Sequence, residues 1–555
     1  MNILLVALNA KYIHTCPAVY SLKAYACSAM SKSRQSVRID IAEYTINDRY
    51  QDVLAGIMSY HADILGFSTY IWNVDRVHRL IRDIRRIRGN DVQIWAGGPE
   101  ATWYPQAFLR DGGADLCMLG EGEIVFADLV SLAARDPASL RACSLSSVPG
   151  LAFRRKGEAP EAIESTGPAP AARLDEIPFL YRDLSLFENR ILYYEASRGC
   201  PFGCAYCLSG KEKGIRYRNP ETVKAELQFF LDEKVKQVKF IDRTFNANAA
   251  FAMEIWTYLR DHDNGVTNFH FEMEAGLMTD EELALLSSLR PGLVQMEIGV
   301  QSANPRTLRA VHRSPDLNRI RDVMRFLVRN QNINLHLDLI AGLPFEDLAS
   351  FRKSFQTVYD MRPNQLQLGF LKLLKGTELF DRRAEYGLIC SADAPYEVLK
   401  TSWLSFEELD LLHRISDMVE EYVNSQGFRR SLPLAEALFA DAFSLFWALA
   451  DYYREKGYDR NRPSVQKRYE IFTDFIEQRM KETQAFPEKQ RQKLLEMIRL
   501  DKCLHVHPSR KMLAEGVFDF GDGPQNLCFD YRHCSPVNGE AFISLPGTQN
   551  SHGIS

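Results

Sequence analysis

The chain has 555 residues, of which 46% are hydrophobic and 25% are charged, values that are ordinary for a globular protein. Lys and Arg total 67 against 72 for Asp and Glu, which gives a net charge of −5, so a surface that broadly coats nucleic acid is not expected. No run of about 18 apolar residues appears, so no membrane span is expected either. Eleven cysteines in a chain of this length fit a reducing, cytoplasmic location better than a disulfide scaffold.

The first 135 residues alternate short apolar runs with longer amphipathic patterns. The predicted strands are Asn2–Leu8, Val37–Ala42, Ile64–Ser68, Val92–Ala96 and Leu116–Leu119. One intervening helix places Val77, Leu80, Ile81, Ile84 and Ile87 on a single face. Uniformly apolar strands that alternate with helices predict a doubly wound, Rossmann-like parallel sheet in an α/β protein, and such sheets bind ligands beyond the carboxyl ends of their strands.

Residues 136–190 contain Pro- and Gly-rich stretches and are predicted to be a linker or an irregular hairpin. A second alternation fills 191–400, with strands near 191–198, 236–242, 267–274, 294–301, 333–341 and 364–373. Asn219-Pro220 and Thr279-Asp280-Glu281-Glu282 are typical helix starts within it. Six βα units predict a partial (β/α)6 barrel. Residues 401–500 predict an all-helical C-terminal domain, and 501–555 an irregular tail.

The most informative segment is a cysteine loop at the end of the first predicted barrel strand. Cys200, Cys204 and Cys207 follow the spacing C-x-x-x-C-x-x-C. Gly199 directly precedes the first cysteine, and Gly203 directly precedes the second. Thiolates this close can hold three corners of an iron–sulfur cube and leave one iron open. Buried free cysteines and a structural zinc are the alternatives, but a Gly/Pro-rich loop explains the first poorly and zinc normally needs a fourth ligand.

This loop, with Tyr206 before its last cysteine, resembles that of the radical S-adenosylmethionine (SAM) enzymes. Later segments resemble that family's barrel motifs: Phe240–Asn246, Glu297–Ser302, Asp338–Pro344 and Leu374–Thr377. The resemblance implies a 4Fe-4S cluster on the three cysteines and SAM bound near the later motifs. The implied SAM-binding residues are Tyr206, Asp242, Glu297, Gln301, Ser302, Gly342 and Leu343. The family's usual glycine pair is missing from the second-strand motif, so Asp242 and Arg243 fit a salt-bridged pair at the rim equally well.

A parallel domain ahead of such a barrel resembles the cobalamin-binding subgroup of the same family. Small residues after three successive predicted strands would let a bulky macrocycle approach the backbone. The implied cobalamin-binding residues are Ser68, Thr69, Tyr70, Gly97, Gly98, Gly120, Glu121, Gly122 and His14. The D-x-H-x-x-G pattern that ligates cobalt in many cobalamin proteins is absent, and only His14 is retained from it. The lower axial position of the cobalt is therefore expected to be bound by water, to be vacant, or to be covered by a side chain other than His14.

The resemblance implies a radical SAM enzyme that activates a C–H bond, with methyl transfer from methylcobalamin as the favoured outcome. A cobalamin-dependent radical cyclase or rearrangement enzyme is the alternative, and a non-enzymatic cobalamin-responsive binding protein is a different class. A tRNA methylthiotransferase is rejected because Cys16, Cys27 and Cys117 are scattered and the C-terminal region is helical. The sequence identifies no substrate. A flavodoxin or ferredoxin is the expected electron donor.

Cysteines and histidines also recur near the C-terminus. They are Cys503, His505, His507, Cys528, His533 and Cys534. Their period-two alternation fits a strand and their spacing matches no metal motif with a clear mechanism, so a strand without metal is favoured over a second metal site.

Overall fold

The computed structural model describes residues 1–31, 36–111, 113–135, 140, 142–154, 162–211, 214–482 and 487–506, together with four short strands after residue 516. The chain divides into two compact units. The first contains Met1–Glu297, Arg309–Asp316 and Phe370–Ser402, and the second contains Ile298–Leu308, Leu317–Gly369 and Trp403–Ser555.

The first unit begins with a seven-stranded sheet. Its strands are β1 (Asn2–Asn9), β2 (Arg38–Thr45), β3 (Ile64–Ser68), β4 (Gln93–Gly97), β5 (Leu116–Met118), β6 (Leu151–Arg154) and β7 (Ile163–Ser165). Their order is β2-β1-β3-β4-β5-β6-β7. The first five strands in this order are parallel, as predicted. Every residue of β1 after Asn2 is buried, because helices cover both faces of the sheet.

The helices of this region follow the predicted alternation. They are α1 (Pro17–Ala29), α2 (Tyr50–Ser59), α3 (Val74–Arg88), α4 (Pro99–Trp103), α5 (Glu123–Arg135) and α6 (Ala142–Leu145), with a π-helical turn at Ala107–Asp111. Helix α3 buries Val77, Leu80, Ile81 and Ile84 as predicted. The prediction was wrong for Ile87, which is 58% exposed, because the last turn of α3 extends beyond the edge of the core.

The segment predicted as a linker adds two strands to the sheet. Strand β6 pairs antiparallel with β5, and β7 pairs antiparallel with β6. Leu151, Ala152 and Phe153 are buried, but an apolar run of three residues is too short to show a period in the sequence. The sheet is therefore mixed. Ala159-Pro160, within the predicted linker, lies outside the described residues.

The second α/β region contains the six predicted barrel strands. They are β8 (Leu192–Tyr194), β11 (Gln237–Phe240), β12 (Asn268–Met273), β13 (Val294–Gln301), β14 (Asn334–Ala341) and β15 (Gln365–Phe370). The helices are α7 (Pro220–Asp232), α8 (Ala249–Asp261), α9 (Asp280–Ser287), α10 (Pro305–Ala310), α11 (Leu317–Asn330) and α12 (Leu348–Tyr359). In the first unit β11 pairs in parallel with both β8 and β12.

Both predicted helix starts are present. The Asn219 side chain accepts a hydrogen bond from the backbone N–H of Glu221, with Pro220 at the first position of α7. Thr279 and Glu282 form a capping box at the start of α9. These contacts satisfy backbone N–H groups that have no partner within the helix.

The first predicted barrel strand is interrupted. Strand β8 ends at Tyr194, and Ser197–Cys200 forms a separate strand, β9, that pairs antiparallel with β10 (Gly214–Tyr217). The segment Ser197–Tyr217, which we call the cysteine hairpin, contains all three clustered cysteines. Short 3₁₀ turns occur at Leu174–Glu176, Leu184–Phe187, Leu208–Lys211, Phe245–Ala247 and Ala275–Leu277.

The remaining elements complete the two units. The first unit also contains α13 (Glu378–Asp381), β16 (Ile389–Cys390) and β17 (Val398–Lys400). The C-terminal part of the second unit is helical, as predicted, with α14 (Phe406–Val419), a π-helical turn (Glu420–Asn424), α15 (Ser431–Glu436), α16 (Ala442–Lys456), α17 (Val465–Glu482) and α18 (Glu488–His505). The four tail strands are β18 (Val517–Asp519), β19 (Asn526–Cys528), β20 (Pro536–Val537) and β21 (Glu540–Ala541). Among the described residues, no helix is both long and apolar enough to cross a bilayer.

Candidate active site

The cysteine hairpin brings together three thiols that form no disulfide. Cys200 ends β9, and all three clustered cysteines are free and half-buried. The Sγ of Cys200 lies 3.6 Å from the Thr244 hydroxyl. Three soft sulfur donors within one short, partly exposed loop fit an iron–sulfur cube that keeps one open iron.

Gly199 sets the path of the hairpin. Its φ is +108°, and a Cβ at this position would lie 2.3 Å from the carbonyl oxygen of Gly214 on β10. Only glycine has access to this conformation at low cost and allows the two strands to approach this closely. Gly203 has open space around its Cα, so the two glycines of the loop serve different purposes.

Asp242 forms hydrogen bonds to the start of the cysteine hairpin. It is 1% exposed, and its carboxylate accepts hydrogen bonds from the Ala196 backbone N–H (3.0 Å) and the Ser197 hydroxyl (2.6 Å). Burial raises the pKa of Asp242 to about 7, against the effect of these two donors. Asp242 therefore lies inside the protein and positions the start of β9, which differs from the rim ion pair with Arg243 considered above.

The other predicted SAM-binding residues are distributed over both units. In the first unit, Tyr206 is half-buried and its hydroxyl lies 3.5 Å from Arg313 Nη1. Glu297 forms an ion pair with Lys239 (3.0 Å), and its carboxylate lies 3.2 Å from His270 Nε2. These three side chains come from the successive strands β11, β12 and β13.

In the second unit, the predicted SAM-binding residues have closely packed surroundings. Gln301 folds back over Gly299, where a Cβ would lie 2.2 Å from its Nε2. Ser302 is buried and its hydroxyl donates to Glu346 Oε1 at 2.7 Å. Gly342 has a φ of +91°, and Leu343 is buried.

A cavity of about 1220 Å³ lies within the first unit. Seven of the nine residues predicted to bind cobalamin line it: Ser68, Tyr70, Gly97, Gly98, Gly120, Glu121 and Gly122. The cysteine hairpin contributes Ser197, Arg198 and Gly199 to the same wall. The volume exceeds the roughly 300–1,000 Å³ of ordinary ligand sites, and the lining glycines leave the backbone open to a flat, bulky ligand. The cavity therefore fits a macrocycle such as cobalamin.

Thr69 and His14 are not among the residues that line the cavity. Thr69 is buried, and its hydroxyl donates to the Gly97 carbonyl at 2.8 Å. The Nδ1 of His14 lies 2.6 Å from the Tyr193 hydroxyl. Burial, followed by Lys11 and Lys239, lowers the pKa of His14, so this side chain is a neutral hydrogen-bonding partner of Tyr193 near neutral pH.

An ion-pair network joins the cysteine hairpin to the loop after β5. Arg198 contacts Glu121 (2.9 Å), Glu123 (2.9 Å) and Glu195 (2.7 Å), and Arg216 on β10 also contacts Glu121. Burial raises the pKa of Glu123, but Arg198 and the Ser21 hydroxyl outweigh it and hold the pKa below its usual value. Neither Arg198 nor Glu123 was predicted as a site residue from the sequence, although Arg198 lies two residues before Cys200 and Glu123 directly follows Gly122.

The C-terminal cysteines and histidines are only partly described. Cys503 and His505 lie in the last turn of α18, so the predicted strand is wrong for these two residues. His505 Nδ1 is 3.0 Å from the Tyr469 hydroxyl. His507, His533 and Cys534 lie outside the described residues, as does the side chain of Cys528.

Comparison with known families identifies three segments of the chain. Residues 5–130 match the B12 binding domain, and residues 194–358 match the radical SAM superfamily. Residues 384–513 match a family described as a protein of unknown function, DUF4080. The chain therefore combines a B12-binding domain with a radical SAM domain, which confirms the predicted resemblance. Its cofactors are a 4Fe-4S cluster, SAM and cobalamin.

Curated relatives share moderate identity with the chain. An uncharacterized methyltransferase of Pyrococcus horikoshii is 23% identical over 68% of this chain and 79% of its own length. The 2-(S-pantetheinyl)-carbapenam-3-carboxylate methyltransferase of Streptantibioticus cattleyicolor is 27% identical over 55% of this chain. The match spans 46% of that second relative's length.

Solved structures share the fold. The cobalamin-dependent SAM radical enzyme OxsB with aqua-cobalamin bound superposes with a TM-score of 0.59 at 15% identity, over 90% of this chain and 83% of that one. The radical SAM methyltransferase TsrM from Kitasatospora setae, with cobalamin and a [4Fe-4S] cluster bound, gives 0.56 at 16% identity, over 69% and 78%. The predicted fold class is confirmed.

Proposed function

We propose that this protein cleaves SAM reductively at the cluster, activates a C–H bond of its substrate, and transfers a methyl group to that carbon from methylcobalamin. The observation that carries the proposal is the cavity of about 1220 Å³ in the first unit, whose wall combines strand ends of the first sheet with the cysteine hairpin. Methyl transfer of this kind needs both cofactors within reach of one carbon atom.

Each group of predicted site residues has a proposed place in this scheme. Cys200, Cys204 and Cys207 would hold the cluster, and Tyr206, Glu297, Gln301, Gly342 and Leu343 would contact SAM. The seven predicted residues that line the cavity would contact cobalamin. Asp242, Ser302, Thr69 and His14 would act indirectly, since their described hydrogen bonds go to other protein groups.

The chain's own residues bind, orient and exclude water. When bound, the cluster supplies the electron for SAM cleavage and cobalamin supplies the methyl group. Arg243, three residues after the end of β11, places positive charge on the cavity wall, where anionic groups of SAM or the substrate would be stabilised. Apolar lining residues such as Leu5, Phe67 and Met118 would exclude water from the part of the cavity next to the strand ends.

Turnover by anaerobically reconstituted protein tests the proposal. We expect S-adenosylhomocysteine and 5′-deoxyadenosine together, with methylated cobalamin visible in the absorption spectrum. The C200A/C204A/C207A variant should give no 5′-deoxyadenosine. Formation of 5′-deoxyadenosine without S-adenosylhomocysteine or methylated cobalamin would exclude methyl transfer and favour a cyclase or rearrangement enzyme. Full function of the triple variant would point instead to a cobalamin-responsive binding protein.

The electron donor and the location follow from the same chemistry. A flavodoxin or ferredoxin would supply single electrons to the cluster, and a reducing cytoplasm would preserve the thiols that the described part of the chain leaves free. Replacement of dithionite by a reduced flavodoxin in the turnover assay tests the donor.

A further inference from the structure

Arg313 reaches the cysteine hairpin from another part of the first unit. Its Nη1 lies 3.7 Å from the Sγ of Cys204 and 3.5 Å from the Tyr206 hydroxyl. Its Nη2 donates to Glu274 Oε2 at 2.8 Å. The side chains of Arg313 and Glu274 are 13% and 12% exposed. One arm of the guanidinium thus faces a predicted cluster ligand while the other is held by a carboxylate.

Surrounding hydrogen bonds fix this arrangement. The backbone N–H of Ala205 donates to the carbonyl of Val311, two residues before Arg313. On the other side, Glu274 exchanges two hydrogen bonds with Asn246: its N–H donates to Asn246 Oδ1, and Asn246 Nδ2 donates to its carbonyl, both at 3.0 Å. Arg313 and Cys204 are therefore held together by contacts on both sides and not by one flexible side chain.

The chemistry of the contact favours negative charge on the sulfur. Guanidinium is always protonated and acts as a donor, and its charge is screened weakly in a buried site. In iron–sulfur proteins, hydrogen bonds to the sulfurs and the local charge set the reduction potential. The reduced cluster carries one more electron than the oxidised cluster, so the same donor stabilises the reduced form more.

We propose that Arg313 is a positioning residue that donates an N–H···S hydrogen bond to Cys204 and makes the cluster easier to reduce. The inference rests on the cluster ligation proposed above, but it does not depend on methyl transfer or on any substrate. It adds to the three cysteines a fourth residue that controls the cluster without ligating it.

A redox titration of the R313M variant tests the inference. Wild-type and variant proteins are reconstituted anaerobically, and the reduced cluster is followed by electron paramagnetic resonance without SAM or substrate. At the wild-type midpoint we expect the ratio of reduced to oxidised cluster to fall about tenfold in R313M, equivalent to about 59 mV for a one-electron couple. An unchanged midpoint at equal iron and sulfide content overturns the inference.

Two further variants keep the test decisive. R290M removes an arginine–carboxylate pair with Asp263 that has no described contact with the cysteine hairpin, and it should leave the midpoint unchanged; an equal shift in R290M overturns the inference. R313K keeps the charge but cannot reach Cys204 and Glu274 as a two-armed donor, so a smaller negative shift is expected. If R313M does not retain iron, an unchanged midpoint in R313K overturns the inference. If the wild-type protein binds no iron, the proposed cluster and therefore the proposed function are contradicted. If the midpoint shifts as expected but no methyl group is transferred, the proposed methyl transfer is contradicted and the inference about Arg313 stands.

Discussion

Gly199 is the residue on which the shape of the cysteine hairpin depends most directly. We predict that G199A loses most of its iron after reconstitution, because the added Cβ would meet the Gly214 carbonyl at 2.3 Å in a backbone conformation that alanine rarely adopts. Strain of this kind costs about 1–3 kcal/mol. G203A is the matched control, since no atom lies within 4 Å of its added Cβ. Equal iron content in the two variants, measured per chain, would contradict the prediction.

Asp242 gives the same region a pH dependence with a definite sign. Its pKa in the folded protein is raised from 3.8 to about 7, so the protonated carboxyl favours folding. The stability it contributes is fully present below about pH 3.8 and is lost as the pH rises to about 7. We expect wild-type apoprotein to lose about 1–3 kcal/mol more between pH 5 and 7.5 than D242N, which mimics the neutral acid.

Thermal midpoints of the two apoproteins across this range provide the measurement. Other groups titrate in both proteins alike, so the difference between their pH profiles isolates Asp242. Parallel profiles for wild type and D242N would show that the carboxyl is not held neutral by burial. D242A should be less stable than D242N at every pH, because the Ala196 N–H and the Ser197 hydroxyl lose their acceptor.

At the scale of elements, the Arg198 network attaches the cysteine hairpin to the loop after β5. R198M would leave Glu123 buried without its cation, which costs about 3–5 kcal/mol. We expect a lower thermal midpoint and a weaker retention of iron, since β9 loses its tie to Glu121 and Glu123. The pKa of Glu123, held low in the wild type, should rise in the variant, so stability should fall with rising pH instead of with falling pH.

The double variant R198M/E123Q is the appropriate control. A neutral glutamine removes the buried charge but can still accept a hydrogen bond from the Ser21 hydroxyl, so part of the lost stability should return. A double variant less stable than R198M would mean that packing of the arginine, and not its charge, holds the hairpin.

The elements show what local sequence signals can and cannot predict. The parallel strands, the amphipathic face of α3 and the starts of α7 and α9 were predicted because each depends on neighbouring residues. The interruption after Tyr194 was not, since β9 is defined by its antiparallel partner Gly214–Tyr217. Strands β6 and β7 were missed for the same reason: their pairing with β5 is a long-range contact that short apolar runs do not reveal.

The same division holds for the candidate site. Cysteine spacing and strand-end glycines are local patterns, and they predicted both the thiol loop and most of the cavity wall. Arg313 and Glu274 are far from Cys204 in sequence, so only the fold shows that they lie together. The inward burial of Asp242 is equally a property of packing.

At the scale of the whole molecule, binding of the two metal cofactors should be separable within the first unit. None of the three clustered cysteines lines the cavity, whereas Gly97 and Gly120 do. We therefore expect the C200A/C204A/C207A variant to lose iron but to retain cobalamin. G97L should show the reverse, because a leucine at the end of β4 would project toward Met118 and into the space for the macrocycle.

Iron analysis and the cobalamin absorption spectrum after gel filtration measure both quantities on one sample. G66A serves as a conservative comparison, since its Cβ would press only on the flexible end of the Leu5 side chain; it should retain both cofactors. If the cysteine variant lost cobalamin as completely as iron, the macrocycle would have to depend on the cluster, and the cavity at the strand ends would not be a sufficient cobalamin site. If G97L retained cobalamin, the macrocycle could not bind at the end of β4 as proposed.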